Sequence, residues 1–259
     1  MSNVNLKSFN QILVFRWKPN IDLAIVAHSW VLVVGALYAA TFIIGQEVWG
    51  GMGYFLTYAL LGATIFGVGL PLYWMVIHRR QPLSAIGLTT KNWTIRIGLQ
   101  VMFSLIIDIP RLLQAPSISF EQLFPLLSLA LTIGFFEAVF WRGWVQLRLE
   151  ESFGIIPAII LASILYAAYH VGYGMKGEEI FSLFFIGLMF AAVFRLTKSI
   201  LILWPFFQPL GQLITLINDQ LILPMISAVG FIEAFVVMLV LIGLAARYHK
   251  KHQDVKEMS

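Results

Sequence analysis

Glu137 stands inside an apolar run from Phe124 to Val145, with Arg142 five residues on. A carboxylate and a guanidinium are both costly near the centre of a bilayer. Each must be paired, neutralised or hydrated, and such residues mark functional sites by default. His170 lies in the next apolar run, with Tyr166 four residues before it on the same helix face. Gln208 and Gln212 form a further i, i+4 pair in a later run. A carboxylate beside an imidazole can activate water: the carboxylate takes the proton, and the imidazole orients the water or stabilises the charge. Glutamine amides can donate hydrogen bonds to a developing oxyanion. Together these residue types point to hydrolysis of an amide inside a membrane. Glu137 would be the base and His170 its partner, with Arg142 as electrostatic support. Tyr166 would orient the imidazole, and Gln208 and Gln212 would face the oxyanion.

The elements that must position these groups are transmembrane helices. The chain of 259 residues is 59% hydrophobic and only 12% charged, with a mean hydropathy of +0.85, whereas soluble domains carry about a quarter charged residues. There is no cysteine, which excludes disulfides, thiolate metal sites and cysteine nucleophiles. Residues 1–20 are polar and basic and do not resemble a cleavable signal peptide. Within them, Phe9 to Trp17 predicts a short interfacial helix. Runs near the ~20 apolar residues that cross hydrocarbon predict an all-α polytopic bundle of about eight spans. They lie near residues 22–45, 54–77, 94–109, 122–149, 155–173, 180–197, 199–218 and 228–247. The short third run and the adjoining sixth and seventh leave seven and nine open. One membrane domain, residues 21–248, is therefore expected between a cytoplasmic segment, 1–20, and a cytoplasmic tail, 249–259.

The fourth and fifth spans read as a hairpin turning between Glu150 and Pro157, with Gly154 for the bend and Pro157 suited to a helix first turn. Glu137 and His170 are equally far from that turn. In an antiparallel pair they share one depth, roughly 20 Å along the helices. Gln208 enters its span to roughly 14 Å, a similar level. Pro209 beside it opens the backbone, which membranes tolerate where a polar cavity is lined.

Phe136-Glu137-Ala138-Val139-Phe140-Trp141-Arg142-Gly143 resembles the first motif, Glu-Glu-x-x-x-Arg, of the CPBP family. That family comprises the type II CAAX prenyl endopeptidases and bacteriocin-processing, abortive-infection-type membrane proteases. Tyr166-Ala167-Ala168-Tyr169-His170 resembles its second motif, and Arg80 to Leu88 resembles the loop before its core. The likeness covers about residues 79–218. It implies an eight-span intramembrane endopeptidase in which the glutamate and histidine at 137 and 170 activate water. The family's second glutamate is Ala138 here, and its third motif, His-x-x-x-Asn, reads Gln208-Pro209-Leu210-Gly211-Gln212. The resemblance thus implies a retained water-activating pair and an oxyanion pair replaced by amides.

Blander roles exist for each group. Glu137 could be a structural carboxyl, Arg142 could snorkel to the cytoplasmic face, His170 could be a satisfied core histidine, and the glutamines could join helices. The main rival to an endopeptidase is a catalytically inactive scaffold or subunit that binds another membrane protein. A transporter lacks support from inverted repeats. No cofactor is expected. A divalent metal is weakly supported, because only Glu137 and His170 can be placed together and catalytic zinc takes three protein ligands. The partners expected are the lipid bilayer and either a hydrophobic or lipidated peptide or a partner membrane protein. The formal charge of +4 follows from topology and calls for no nucleic acid. The expected location is a prokaryotic plasma membrane. Nearly all Lys and Arg fall on one side of eight spans, with Arg111 and Lys176 on the other, so both termini are expected in the cytoplasm. Reporter fusions after Gly50 and Gly177 should read the outer side, and one after Lys91 the cytoplasm; an outer reading at Lys91 would overturn the orientation.

Overall fold

Apolar runs in hydrocarbon fold as helices, because each backbone N–H and C=O must be satisfied within its own segment. The structure, a computed structural model, describes residues 14–44 and 51–257. Among them it is helical with no strand. Among the described residues, six helices are long and apolar enough to cross a membrane. They are α1 (Ile21–Ile43), α2 (Met52–His78), α4 (Phe120–Phe153), α5 (Ile155–Tyr173), α6 (Gly177–Thr197) and α8 (Ile226–Gln253). Two further helices, α3 (residues 93–112) and α7 (Phe207–Asn218), fall outside that set. The expected count of eight spans is therefore not confirmed. α3 carries Arg96, Gln100, Asp108 and Arg111, and α7 has only 12 residues.

The interfacial helix expected from Phe9 to Trp17 lies partly outside the described residues, and residues 14–20 are not helical. Instead the Arg16 and Lys18 N–H groups bond the carbonyls of Phe153 and Ser152 at 3.1 and 3.0 Å. Extended chain here satisfies carbonyls at the end of α4, and an amphipathic helix would not reach them. The hairpin turn is as expected. Gly154 sits at φ +92°, and Pro157 falls in the first turn of α5.

α4 is the axis of the bundle. Over its most apolar stretch 78% of residues are buried, against 28–50% in the other five long helices. α7 and α8 pack on its first half, α5 on the remainder and α1 on its last turns, while the middle of α2 lies along both halves. The other helices turn large side chains outward, among them Ile65, Ile164, Phe185, Val236 and Leu244, as a lipid-facing surface requires.

One end of the bundle is rich in basic groups. Arg79 pairs with Asp22 at 2.8 Å, Arg148 with Glu151 at 2.9 Å, and Arg195 and Lys198 approach Glu150. α3 starts at this end, where Arg96 bonds the Thr89 carbonyl, and finishes at the other, where Arg111 meets Thr215 of α7. Beyond α7, burial and nearby Glu179 push the Asp219 carboxyl above its usual range.

The loop from Arg80 to Leu88 is a keystone of the basic end. The Ala85 carbonyl accepts from Arg148, and the Gly87 carbonyl accepts from the Ile200 N–H. Its main chain lies directly on α4: a Cβ placed on Gly143 would come 2.1 Å from the Ile86 carbonyl oxygen. Backbone cannot yield as a flexible side chain can. Gly143→Ala should therefore lower stability by about 1–3 kcal/mol, measured as a lower thermal midpoint in detergent, while Gly98→Ala, with open space around it, should leave it unchanged.

Candidate active site

Glu137 ends the α-helical part of α4. From Ala138 to Gln146 the helix winds as a π-helix, with i→i+5 hydrogen bonds of a kind often found at functional sites. Five residues of α-helix would separate Glu137 and Arg142 by roughly 140° around the axis. The wider winding brings position i+5 back beneath position i, and Arg142 is a charge neighbour of Glu137. Both side chains are buried.

α7 delivers Gln208 to the same point. Pro209 packs against Gly134, where a Cβ would sit 3.0 Å from the proline ring. That close approach of two helices allows the Gln208 Nε2 to donate to Glu137 Oε2 at 2.8 Å. Gln212 lies one turn earlier along α4, its Oε1 beside Gly134. Gln208 thus spends one amide hydrogen on the carboxylate and keeps the other.

The hairpin register matches the sequence expectation. Trp141 and Tyr166, also equidistant from the turn, have ring centroids 5.8 Å apart, and Phe136 and Tyr169 lie 6.4 Å apart. Tyr166 neighbours Glu137, Arg142 and His170 alike. Its phenol is a polar neighbour of Glu137, its ring lies 5.3 Å from the Arg142 Cζ, and its carbonyl accepts from His170 Nδ1 at 2.8 Å. A carbonyl only accepts, so Nδ1 carries the proton, and in the neutral ring Nε2 is left as an acceptor. The imidazole stands edge-on to Tyr166 and Tyr169, at 4.9 and 4.8 Å. Tyr166 thus meets the imidazole through its main-chain carbonyl as well as its ring.

No hydrogen bond joins Glu137 directly to His170. Among the described residues, Trp141 Nε1, Arg142 Nη1, Gln208 Oε1 and Gln212 Oε1 are buried without a hydrogen-bond partner. A region with donors and acceptors in this state is chemically suited to water or to a peptide amide. Among the described residues, no three His, Cys, Asp or Glu side chains come together as a metal-binding group.

Two features lie beyond what the sequence motifs suggest. The hydroxyls of Tyr58, Tyr169 and Tyr173 bond one another, with Tyr173 donating to Tyr58 at 2.7 Å, Tyr169 and Tyr173 3.0 Å apart, and Tyr58 bonded to Tyr169; Tyr54 is a further partner of Tyr173. The i, i+4 spacings Tyr54–Tyr58 and Tyr169–Tyr173 are the available signal. The second feature is Gln100 of α3, which holds the chain leading into α7 and whose only sequence signal is an amide in an apolar run.

Residues 119–206 match the family of the type II CAAX prenyl endopeptidases, Rce1-like. The match supports membership of the CPBP family. The matched segment spans about a third of the chain and holds Glu137, Arg142, Tyr166 and His170; it ends two residues before Gln208. No curated protein and no solved structure matches the chain significantly.

Removing one hydroxyl from this cluster takes one hydrogen bond from each of the hydroxyls it touches. Tyr169→Phe should cost about 1 kcal/mol in detergent melts, whereas Tyr38→Phe, on an exposed ring, should cost nothing measurable.

Proposed function

We propose that this integral membrane protein is a CPBP-type endopeptidase that cleaves a peptide bond in a hydrophobic or lipidated substrate. The observation that carries this is the buried Glu137 carboxylate, gripped by Gln208 and flanked by Tyr166, with the Nδ1-protonated His170 held by the same tyrosine. Glu137 and the His170 Nε2 are both acceptors. A water donating to both would turn its oxygen lone pair toward a scissile carbonyl. As oxygen attacks carbon, Glu137 takes the proton. The oxyanion would be met by the free amide hydrogen of Gln208 and by the Gln212 amide. Glu137 then returns the proton to the leaving nitrogen as the C–N bond breaks. Arg142 steadies the carboxylate, and no metal or other cofactor is assigned a step.

Clustering of Arg79, Arg148, Arg195 and Lys198 at one end of the bundle supports a cytoplasmic placement of that end. With the basic tail, it supports both termini on the cytoplasmic side, and we place the protein in a prokaryotic plasma membrane.

The scaffold alternative also has an observation in its favour. Gln208 already occupies the carboxylate at 2.8 Å, and Ala138, Gln208 and Gln212 all replace family residues. Purified protein incubated with a prenylated C-terminal peptide, and read by mass spectrometry, separates the two. Glu137→Gln keeps size and removes the base, so cleavage should vanish with the fold intact. Gln208→Ala should slow cleavage about 10²-fold. Equal turnover by Glu137→Gln, or a cellular phenotype that survives this change but not disruption of a partner-binding surface, would reject the endopeptidase.

A further inference from the structure

α7 begins without a cap of its own. The residue at its N-cap is Phe206, whose side chain accepts nothing, and the first N–H groups of a helix need outside acceptors. Phe207 is buried, and a buried N–H left without an acceptor costs about 1–3 kcal/mol. The preceding chain, residues 199–206, is a short 3-10 helix followed by turns, so it has carbonyls to satisfy too.

Gln100, fully buried on α3, meets both needs. Its Oε1 accepts from the N–H groups of Phe206 and Phe207, the latter at 3.2 Å. Its Nε2 donates to the carbonyls of Leu201 and Trp204 at 2.8 and 3.1 Å. Pro205 between them has no N–H to offer. One amide thereby fixes the main chain on both sides of the bend, immediately before Gln208. The next link is the Gln208 bond to Glu137.

We infer that Gln100 is a positioning residue for the Glu137 site: it caps α7 from another helix and so sets where the Gln208 amide meets the carboxylate. Gln100 lies outside the segment that matches the CPBP family. Its role rests on Glu137 and Gln208 being site residues, but its geometric effect can be read without any substrate.

The test uses the full-length protein in detergent, with 13C-labelled glutamate and infrared spectroscopy. The Glu137 carboxyl band is the one lost in Glu137→Gln. Its shift in Gln208→Ala reports loss of the Gln208 bond. Gln100→Ala should reproduce most of that shift, and amide exchange at Phe206 and Phe207 should accelerate about tenfold or more. Gln100→Asn keeps a polar amide in the interior but is one methylene shorter, so it should fold and give part of the same shift. Gln146→Ala is the control. Gln146 is also fully buried and bonds the Ala191 carbonyl at 3.1 Å, so its loss should destabilise the bundle without moving the band. A Glu137 band at the native position in both Gln100 variants would overturn the inference. So would an equal shift in Gln146→Ala, because Gln100 would then be only one buried amide among others. A peptidase that proves inactive would leave these spectra unchanged, so failure of the enzyme proposal and failure of this one are separate results.

Discussion

A carboxylate inside a low-dielectric bundle has to be matched by donors or by charge, and Glu137 is the group around which this protein meets that demand. Isolated burial of an ionised carboxylate is prohibitively costly. The match comes from three different helices: hydrogen bonds from Gln208 on α7 and Tyr166 on α5, and the nearby charge of Arg142 on α4 itself. Each of these groups imposes a condition on its own helix. α7 must approach closely enough for Pro209 to lie on Gly134, α5 must hold its register against α4, and α4 must rewind to bring Arg142 under Glu137. The packing of the bundle interior follows from these three conditions more than from apolar burial, which lipid supplies almost as well as protein.

Local rules make part of this legible in the sequence. Helix rise is constant, and Gly154 and Pro157 mark the turn, so the common depth of Glu137 and His170 follows from residue spacing alone. The ring contact between Trp141 and Tyr166 bears that register out. The Tyr166 and His170 spacing also holds, although its strongest bond uses a main-chain carbonyl that no side-chain pattern announces. Spacing singles out Gln208 as a polar group at a similar depth; that it bonds Glu137 depends on a contact between helices far apart in sequence.

The remainder is hidden for identifiable reasons. Glu137 and Arg142 lie on different faces of an ordinary α-helix, and only the π winding from Ala138 to Gln146 unites them. Gln100 bonds four main-chain groups about a hundred residues away, and main-chain partners leave no trace in residue types. The span count is hard to fix because α3 spends apolar positions on Arg96, Gln100 and Asp108, and α7 is short. Both helices also reach the surroundings of Glu137, α7 through Gln208 and α3 through Gln100 at the start of α7.

The burial of α4 has a consequence for how the protein is made. This helix carries Glu137, Arg142, Gln146, Arg148 and Glu150, and a single Arg at a helix centre opposes insertion by about 2.5–3.5 kcal/mol. On leaving the ribosome, α4 is ill suited to wait alone in lipid. Gly154 joins it to α5 through a turn too tight for either helix to wander from the other. The two therefore leave the translocation channel most favourably as one unit, with Tyr166 shielding Arg142 from the start. α7 arrives later in synthesis, so the carboxylate is fully gripped only after most of the chain has entered the bilayer.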